Sequence, residues 1–399
     1  MTTNTIALPE NKIQRIIWTL LFLFPIIGMA VDLVAPSLPA ISSSLHVSES
    51  IAKNVISLYL LGYAFGNFFI GFLADAWGRQ KLLRAGLFGF VIASLIPVFF
   101  HSIDLLFLSR VLQGITIGAV SVLARAMFSD VLSAEKLTSL GTLMGTMWGL
   151  GPMLGPVIGG YLQFYFDWQA GFVFFALVTF IGLIATWIVV PETHFNLHPL
   201  NIKTIGKDIR EVFCHRLFMA LVILMGLAYS LIIAFNTAAP FLIQSVLHHT
   251  PVFFGHMALC IGTVFLAATF ICRYLLKKFK AEHLLFYALI ISFTIALSSV
   301  ALSFIFEKST LFIVIISAMM FFSCGFIFPM SMGRGISLFR HIAGTATAMM
   351  FLIQILMTSF VSFLVSLVHV ENNTDIMVMY FVLLLCAVVV YWSMIHNKK

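Results

Sequence analysis

Apolar stretches of about twenty residues or more recur along the whole chain, each closed by a polar break. They lie near residues 15–40, 51–74, 82–101, 105–128, 137–162 and 170–190, then near 216–246, 252–275, 284–305, 310–332, 343–368 and 376–395. An α-helix needs roughly 20 apolar residues to cross a bilayer, so the pattern predicts twelve membrane-spanning helices. One polar interruption is long: residues 191–215, with Lys203, Lys207 and Arg210. It divides the chain into an amino-terminal segment (1–14), a bundle of six spans (15–190), a linker (191–215), a second bundle of six (216–395) and a short tail (396–399). Such a 6+6 division is the hydropathy pattern of parallel repeats related by an axis along the membrane normal. Identity between the halves is weak, so that inference rests on hydropathy.

Composition agrees: 61% of the 399 residues are hydrophobic and 9% are charged, and mean hydropathy is +1.08. A soluble domain carries about 25% charged residues, so most of this surface must meet lipid. The net charge of +7 is unevenly placed. Of 22 Lys and Arg, 19 fall on the side of the amino terminus, Lys53 and Lys308 fall opposite, and Arg110 lies inside a span. The positive-inside rule then puts both termini in the cytoplasm of an inner (plasma) membrane protein. The excess charge faces anionic headgroups, and no nucleic-acid partner is needed. The five cysteines have no CxxC spacing and predict neither disulfides nor a metal site. The run from Arg15 to Ile41 is too long for a cleaved signal's apolar core and reads as a retained first span. No phosphate-binding GxxxxGK[ST] loop occurs. No catalytic constellation is present, so the expectation is a non-enzyme without cofactor or obligate protein partner.

Four segments carry candidate chemistry. The break after span two reads Gly71-Phe-Leu-Ala-Asp75-Ala-Trp-Gly78-Arg79-Gln-Lys81. There Gly71 lets helices approach, Gly78 permits a tight turn, and Asp75 at a helix end can pair with a base or with free backbone N–H groups. Span four holds Arg110-Val-Leu-Gln113-Gly114. A charge near mid-membrane costs at least about 2.5–3.5 kcal/mol and normally faces a cavity or a partner; the alternative is that Arg110 snorkels to the interface. Span five reads Gly151-Pro152-Met-Leu-Gly155-Pro156-Val-Ile-Gly159-Gly160, whose glycines form a smooth face for a neighbouring helix. Span one holds Asp32, the only acidic residue well inside any span, in Asp32-Leu-Val-Ala-Pro36-Ser-Leu-Pro39-Ala-Ile41.

Together these segments resemble the signatures of the major facilitator superfamily. The loop is similar to G-x-L-a-D-r-x-G-r-k, departing at Ala76 and Gln80. In that family the loop aspartate locks to charges at the inner end of helix four, where Arg125 and Asp130 match. The resemblance therefore implies a conformational latch of Gly71, Asp75, Gly78, Arg79, Arg125 and Asp130, weakened by the missing arginine. Arg110 resembles the arginine of R-x-x-Q-G, which lines the family's central cavity and acts in proton coupling. The span-five glycines and prolines resemble the antiporter signature of drug/proton exporters. The span-one segment looks like D-M-Y-L-P-A-L-P of the bicyclomycin- and chloramphenicol-resistance branch of twelve-span drug:proton antiporters. Pro191-Glu192-Thr193 and His341-Ile-Ala-Gly344-Thr-Ala-Thr-Ala-Met349 agree with that branch. The implied fold is all-α, with 12 transmembrane helices in two six-helix bundles.

Asp32 and Arg110 lie at similar depth at 1.5 Å per residue, so the two can interact. Burial favours the neutral acid and a nearby guanidinium the carboxylate. A carboxyl between these pulls either exchanges protons as the cavity opens to each side or forms a fixed ion pair. Further cavity candidates are Gln113, Met144, Trp148, Tyr229, Asn236 and Gln354. The implied activity is proton-coupled efflux of small lipophilic or cationic molecules by alternating access. The alternative is a dedicated exporter or importer of a metabolite such as a siderophore, amino-acid derivative or sugar. The expected partners are the lipid bilayer, a small-molecule substrate and protons.

Overall fold

The computed structural model describes residues 9–132, 134–193 and 202–395, apart from a few side chains such as those of Asp75 and Arg340. Parts of the expected amino-terminal segment and linker, and the whole of the expected tail (396–399), therefore lie outside the described residues. Twelve helices of 20 residues or more run through the described chain, numbered here in order. The first half holds α1 (Glu10–Asp32), α2 (Glu49–Trp77), α3 (Arg79–Phe99), α4 (Ile103–Val131), α5 (Ala134–Tyr165) and α6 (Ala170–Val189). The second holds α7 (Arg216–Phe241), α8 (Pro251–Leu275), α9 (Ala281–Ser303), α10 (Thr310–Ser337), α11 (Ala343–Ser366) and α12 (Asn373–Met394).

Among the described residues, eleven stretches are long and apolar enough to cross a membrane, and α5 is the long helix absent from them. Its glycines with Pro152 and Pro156 lower its hydropathy. Loops stop the helices with ordinary chemistry. The Thr250 hydroxyl accepts from the Phe253 N–H at 3.1 Å ahead of Pro251 at the start of α8. Asn372 and Asp375 form a reciprocal capping box on α12, which satisfies backbone donors that no helical carbonyl reaches.

Two details differ from the sequence expectation. The linker is not only a polar connection, because it contains a helix, Ile202–Phe213. Ile209 and Val212 pack it against a core containing Phe218 and Met349, while Lys207 and Arg210 stay exposed. Regular α1 also ends early, at Asp32, and continues as a tight turn (Ala35–Ser37) and a short helix (Leu38–Ser44). Pro36 lies in that turn, and proline can neither donate to the preceding turn nor fit beneath it.

In the first half α1 packs on α5, α2 on α4 and α3 on α6; in the second α7 packs on α11, α8 on α10 and α9 on α12. The pairing repeats with a shift of six helices. The seams between halves, α2 with α11 and α5 with α8, exchange under the same shift. The near end of the molecule is the end with Glu10 and Met394; the far end is opposite.

At the far end the halves are laced together. Lys53 is fully buried and donates to Val368 O at 3.0 Å. Ser57 donates to the Ser362 hydroxyl at 3.1 Å, Ser359 to Ser57 O at 2.8 Å, and Ser366 to Asn54 at 3.1 Å. Lys53, expected among outer charges, thus belongs to the seam.

Candidate functional site

Asp32 stands where α1 stops being regular, and the glycine face of α5 brings α1 close enough to hold it there. A Cβ on Gly151 would overlap the backbone of Gly28 and Met29. One on Gly155 would stand 3.2 Å from Asp32 Cβ, and one on Gly159 would overlap Leu33 O. The stripe read from the sequence as a packing face is therefore the bed of the Asp32 segment.

Asp32 is the one carboxylate among the buried polar groups of the described residues. Its Oδ1 accepts from Asn236 Nδ2 of α7 at 2.5 Å, across the boundary between halves. Its Oδ2 is buried and has no protein partner. The Gln244 amide, just past α7, donates to Pro36 O in the turn after α1 at 2.8 Å, so the two halves are tied a second time beside Asp32.

Arg110 is fully buried, so it does not snorkel. Its guanidinium donates to Val55 O at 3.1 Å, Gln113 Oε1 at 2.8 Å and Ala30 O at 3.1 Å. It also lies 4.3 Å from the centre of the Tyr59 ring. It forms no ion pair with Asp32; carbonyl dipoles and a ring face stabilise it instead. The close approach of α2 and α4 makes this possible. A Cβ on Gly62 or Gly66 would overlap a carbonyl of α4, and one on Gly114 the Tyr59 carbonyl of α2.

Asp32 lines a cavity with Trp148, Pro152 and Met153 of α5, Tyr229, Phe235 and Asn236 of α7, Phe265 of α8, and Phe321 and Phe328 of α10. No Lys or Arg lines it. Trp148 and Tyr229 stand 6.4 Å apart, and Tyr229 and Phe328 6.0 Å apart. Its free volume is about 50 Å³, room for a few waters and well below the roughly 300–1,000 Å³ of a drug-sized pocket. The conformation is therefore closed around the site.

Of the six cavity candidates, Trp148, Tyr229 and Asn236 line this space. Gln113, Met144 and Gln354 do not. Gln113 holds Arg110 and donates to Ser94 Oγ at 2.7 Å, Met144 packs on the first-half core, and Gln354 donates to Thr358 at 3.3 Å. Phe235, Phe265, Phe321 and Phe328 line the cavity too, but among 42 phenylalanines they carry no local sequence mark separating cavity from lipid. Asn236 has such a mark. Ala30-Val-Asp32-Leu-Val-Ala35-Pro36-Ser-Leu38 aligns with Ala234-Phe-Asn236-Thr-Ala-Ala239-Pro240-Phe-Leu242. The match of Ala, Asp/Asn, Ala, Pro and Leu places Asn236 as the counterpart of Asp32 in the second half.

The expected latch residues separate. Arg79 pairs with Asp130 at 2.5 Å and donates to Ala126 O at 2.7 Å. Thr193 donates to Asp130 at 2.6 Å. Glu192 accepts from the Arg79 and Gln80 backbone N–H groups, both at 3.1 Å. Gly78 has φ +88°, and a Cβ there would stand 2.7 Å from Glu192 Oε2, so only glycine suits that turn. Gly71 is less constrained, since its Cβ would meet Val122 at an ordinary 3.4 Å. Arg125 is elsewhere: it donates to Ser121 O and Oγ and lies 5.1 Å from the Phe351 ring of α11. The Asp75 side chain is outside the described ones.

The model of the Major Facilitator Superfamily matches residues 20–362. A Rickettsia felis protein named only as a transporter is 25% identical over 96% of this chain and 97% of its own. The multidrug resistance protein MdtL of Vibrio parahaemolyticus is 25% identical over 86% of this chain and 85% of its own. A bicyclomycin resistance protein homolog of Haemophilus influenzae is 24% identical over 66% of this chain and 67% of its own. Among solved structures, a D-xylose–proton symporter superposes with TM-score 0.76 at 17% identity, covering 97% of this chain and 99% of its own. The nucleoside transporter NupG superposes at 0.74 with 13% identity, covering 98% and 100%.

Proposed function

The chain belongs to the Major Facilitator Superfamily, and from that premise we propose that it exports small lipophilic or cationic molecules in exchange for protons. The observation that carries this reading is Asp32, a lone buried carboxylate with one unpartnered oxygen in a cavity walled by aromatic rings. Aromatic faces attract cations, and more strongly once water is excluded. A carboxylate beside them offers a proton and a cation the same place. The excess of Lys and Arg in the connections on the side of the amino terminus supports an orientation with the near end in the cytoplasm. The glycine bed of α5 supports the antiporter resemblance. The relatives named for multidrug and bicyclomycin resistance support the same substrate class.

In this reading substrate enters from the cytoplasm, the halves rock, and a proton reaching Asp32 from outside releases it. For an uncharged substrate, one proton crossing 100 mV supplies about 2.3 kcal/mol, or roughly 50-fold in concentration. Arg110 keeps Asp32's surroundings polar without neutralising it directly. The Arg79–Asp130–Glu192 knot braces the near end of the first half.

The test has two arms. Cells overproducing the protein are challenged with a panel of lipophilic cations, neutral drugs and metabolites, and resistance is expected to concentrate in the first class. Everted vesicles then extrude the best substrate when a pH gradient is imposed, whereas Asp32→Asn, still folded by size-exclusion chromatography, is expected not to. Efflux by Asp32→Asn at the native rate would overturn the coupling role.

A further inference from the structure

We propose that Asn236 is the positioning residue that makes the halves separate at the far end only after Asp32 has taken up a proton or a cation. The inference rests on the exporter reading. Asp32 and Asn236 occupy equivalent places in the two repeats, each four residues before a proline: Pro36 in the turn that follows α1, and Pro240 in the last turn of α7. They meet across the boundary at 2.5 Å. One is an acid and the other its neutral isostere, so the pair forms a single charge-assisted bond. Two acids there would repel each other, and two amides would bind weakly.

Hydrogen bonds to an ionised group are about twice as strong as neutral ones. The tie is strongest when Asp32 is charged and empty, and it weakens when a proton neutralises the carboxylate or a cation occupies it. The far-end closure is otherwise built from hydroxyls, carbonyls, Lys53 and the Glu49–His369 pair at 3.3 Å, none of which lines the cavity. Asn236 therefore keeps the empty, deprotonated carrier from opening at the far end, a step that would let protons run inward without substrate leaving. The other titratable or charged groups around Asp32 are Arg110 on α4, Tyr59 and Tyr63 on α2, Tyr229 on α7 and Cys324 on α10. The parts of α5 and α8 that line the cavity present none.

The experiment places spin labels at Ser44 and Ser245, both exposed, in the full chain with its five cysteines (Cys214, Cys260, Cys272, Cys324, Cys386) replaced, and reads the far-end distance in nanodiscs from pH 5 to 9. The native side chains are expected to give a closed far end at high pH that opens as pH falls. Asn236→Leu should lower the closed-to-open ratio at high pH by roughly tenfold, the equivalent of one hydrogen bond to a charged group, and lose the pH response. Asp32→Asn should lose that response too. Asn236→Asp should invert the response, open at high pH where the two carboxylates repel and closing as they come to share one proton. Asn236→Ser is the second variant if Asn236→Leu does not fold. Asn236 variants that close and respond to pH like the native protein would overturn the proposal. Proton-gradient-driven efflux, measured on the same preparations, separates the readings. Its loss in the unmodified protein sinks the exporter, whereas its persistence with an unchanged Asn236→Leu distance profile sinks only the tie.

Discussion

At the residue scale, the unusual group is Arg110, a guanidinium buried without a carboxylate. Three of its five N–H donors are met by two carbonyls and the Gln113 amide. The planar fork donates from three separate nitrogens to acceptors on α2, α4 and α1, a spread that the single nitrogen of an ammonium does not match. Arg110→Lys is therefore expected to cut transport at least about tenfold, the cost of one lost charged hydrogen bond, in initial-rate efflux assays. Gln113→Leu leaves a buried N–H of Arg110 and the Ser94 hydroxyl short of a partner, and it should cost ~1–3 kcal/mol in reversible unfolding in detergent. The spacing of Arg110 and Gln113 marks them as neighbours on one helix face. Which of them faces the substrate depends on where α1 and α2 arrive, and three-residue spacing carries no information about that.

At the scale of elements, helix approach is set by glycines, and their requirements differ. Gly159→Val would drive a side chain into Leu33 O. It is expected to destabilise by ~1–3 kcal/mol through overpacking and to abolish efflux by displacing Asp32. Gly71→Ala, Gly145→Ala and Gly149→Ala meet ordinary contact or open space and should leave the thermal midpoint unchanged. Differential scanning fluorimetry in detergent, read beside vesicle efflux, checks both sets. Helix existence was legible because membrane crossing demands unbroken apolar length, which lipid enforces along almost every span. The Ile202–Phe213 helix was not legible: its apolar residues form one narrow stripe among polar ones and never make an unbroken run. The early end of α1 was written in Pro36, but the length of the apolar run concealed it.

At the scale of the molecule, two repeats close on each other at the far end through α2 and α11. With the Ser57 and Ser362 hydroxyls 3.1 Å apart, Ser57→Cys with Ser362→Cys should cross-link under mild oxidation and stop transport until reductant is added. Transport that persists in the fully cross-linked protein, scored by mass spectrometry, would remove this seam from the cycle. The division into halves was readable from hydropathy and the linker. Their equivalence was also readable, but only from the short repeat around Asp32 and Asn236, since elsewhere the halves share packing geometry and not residues.

That Asp32 stands alone has an electrical consequence. A carrier with one exchangeable carboxyl moves a monovalent cation out on that charge and brings a proton back on the same charge. Such a cycle transfers no net charge, so a potassium diffusion potential set with valinomycin should leave cation efflux unaltered while an imposed pH difference drives it. An uncharged substrate reverses the outcome, because the returning proton then travels uncompensated and voltage becomes a driving force.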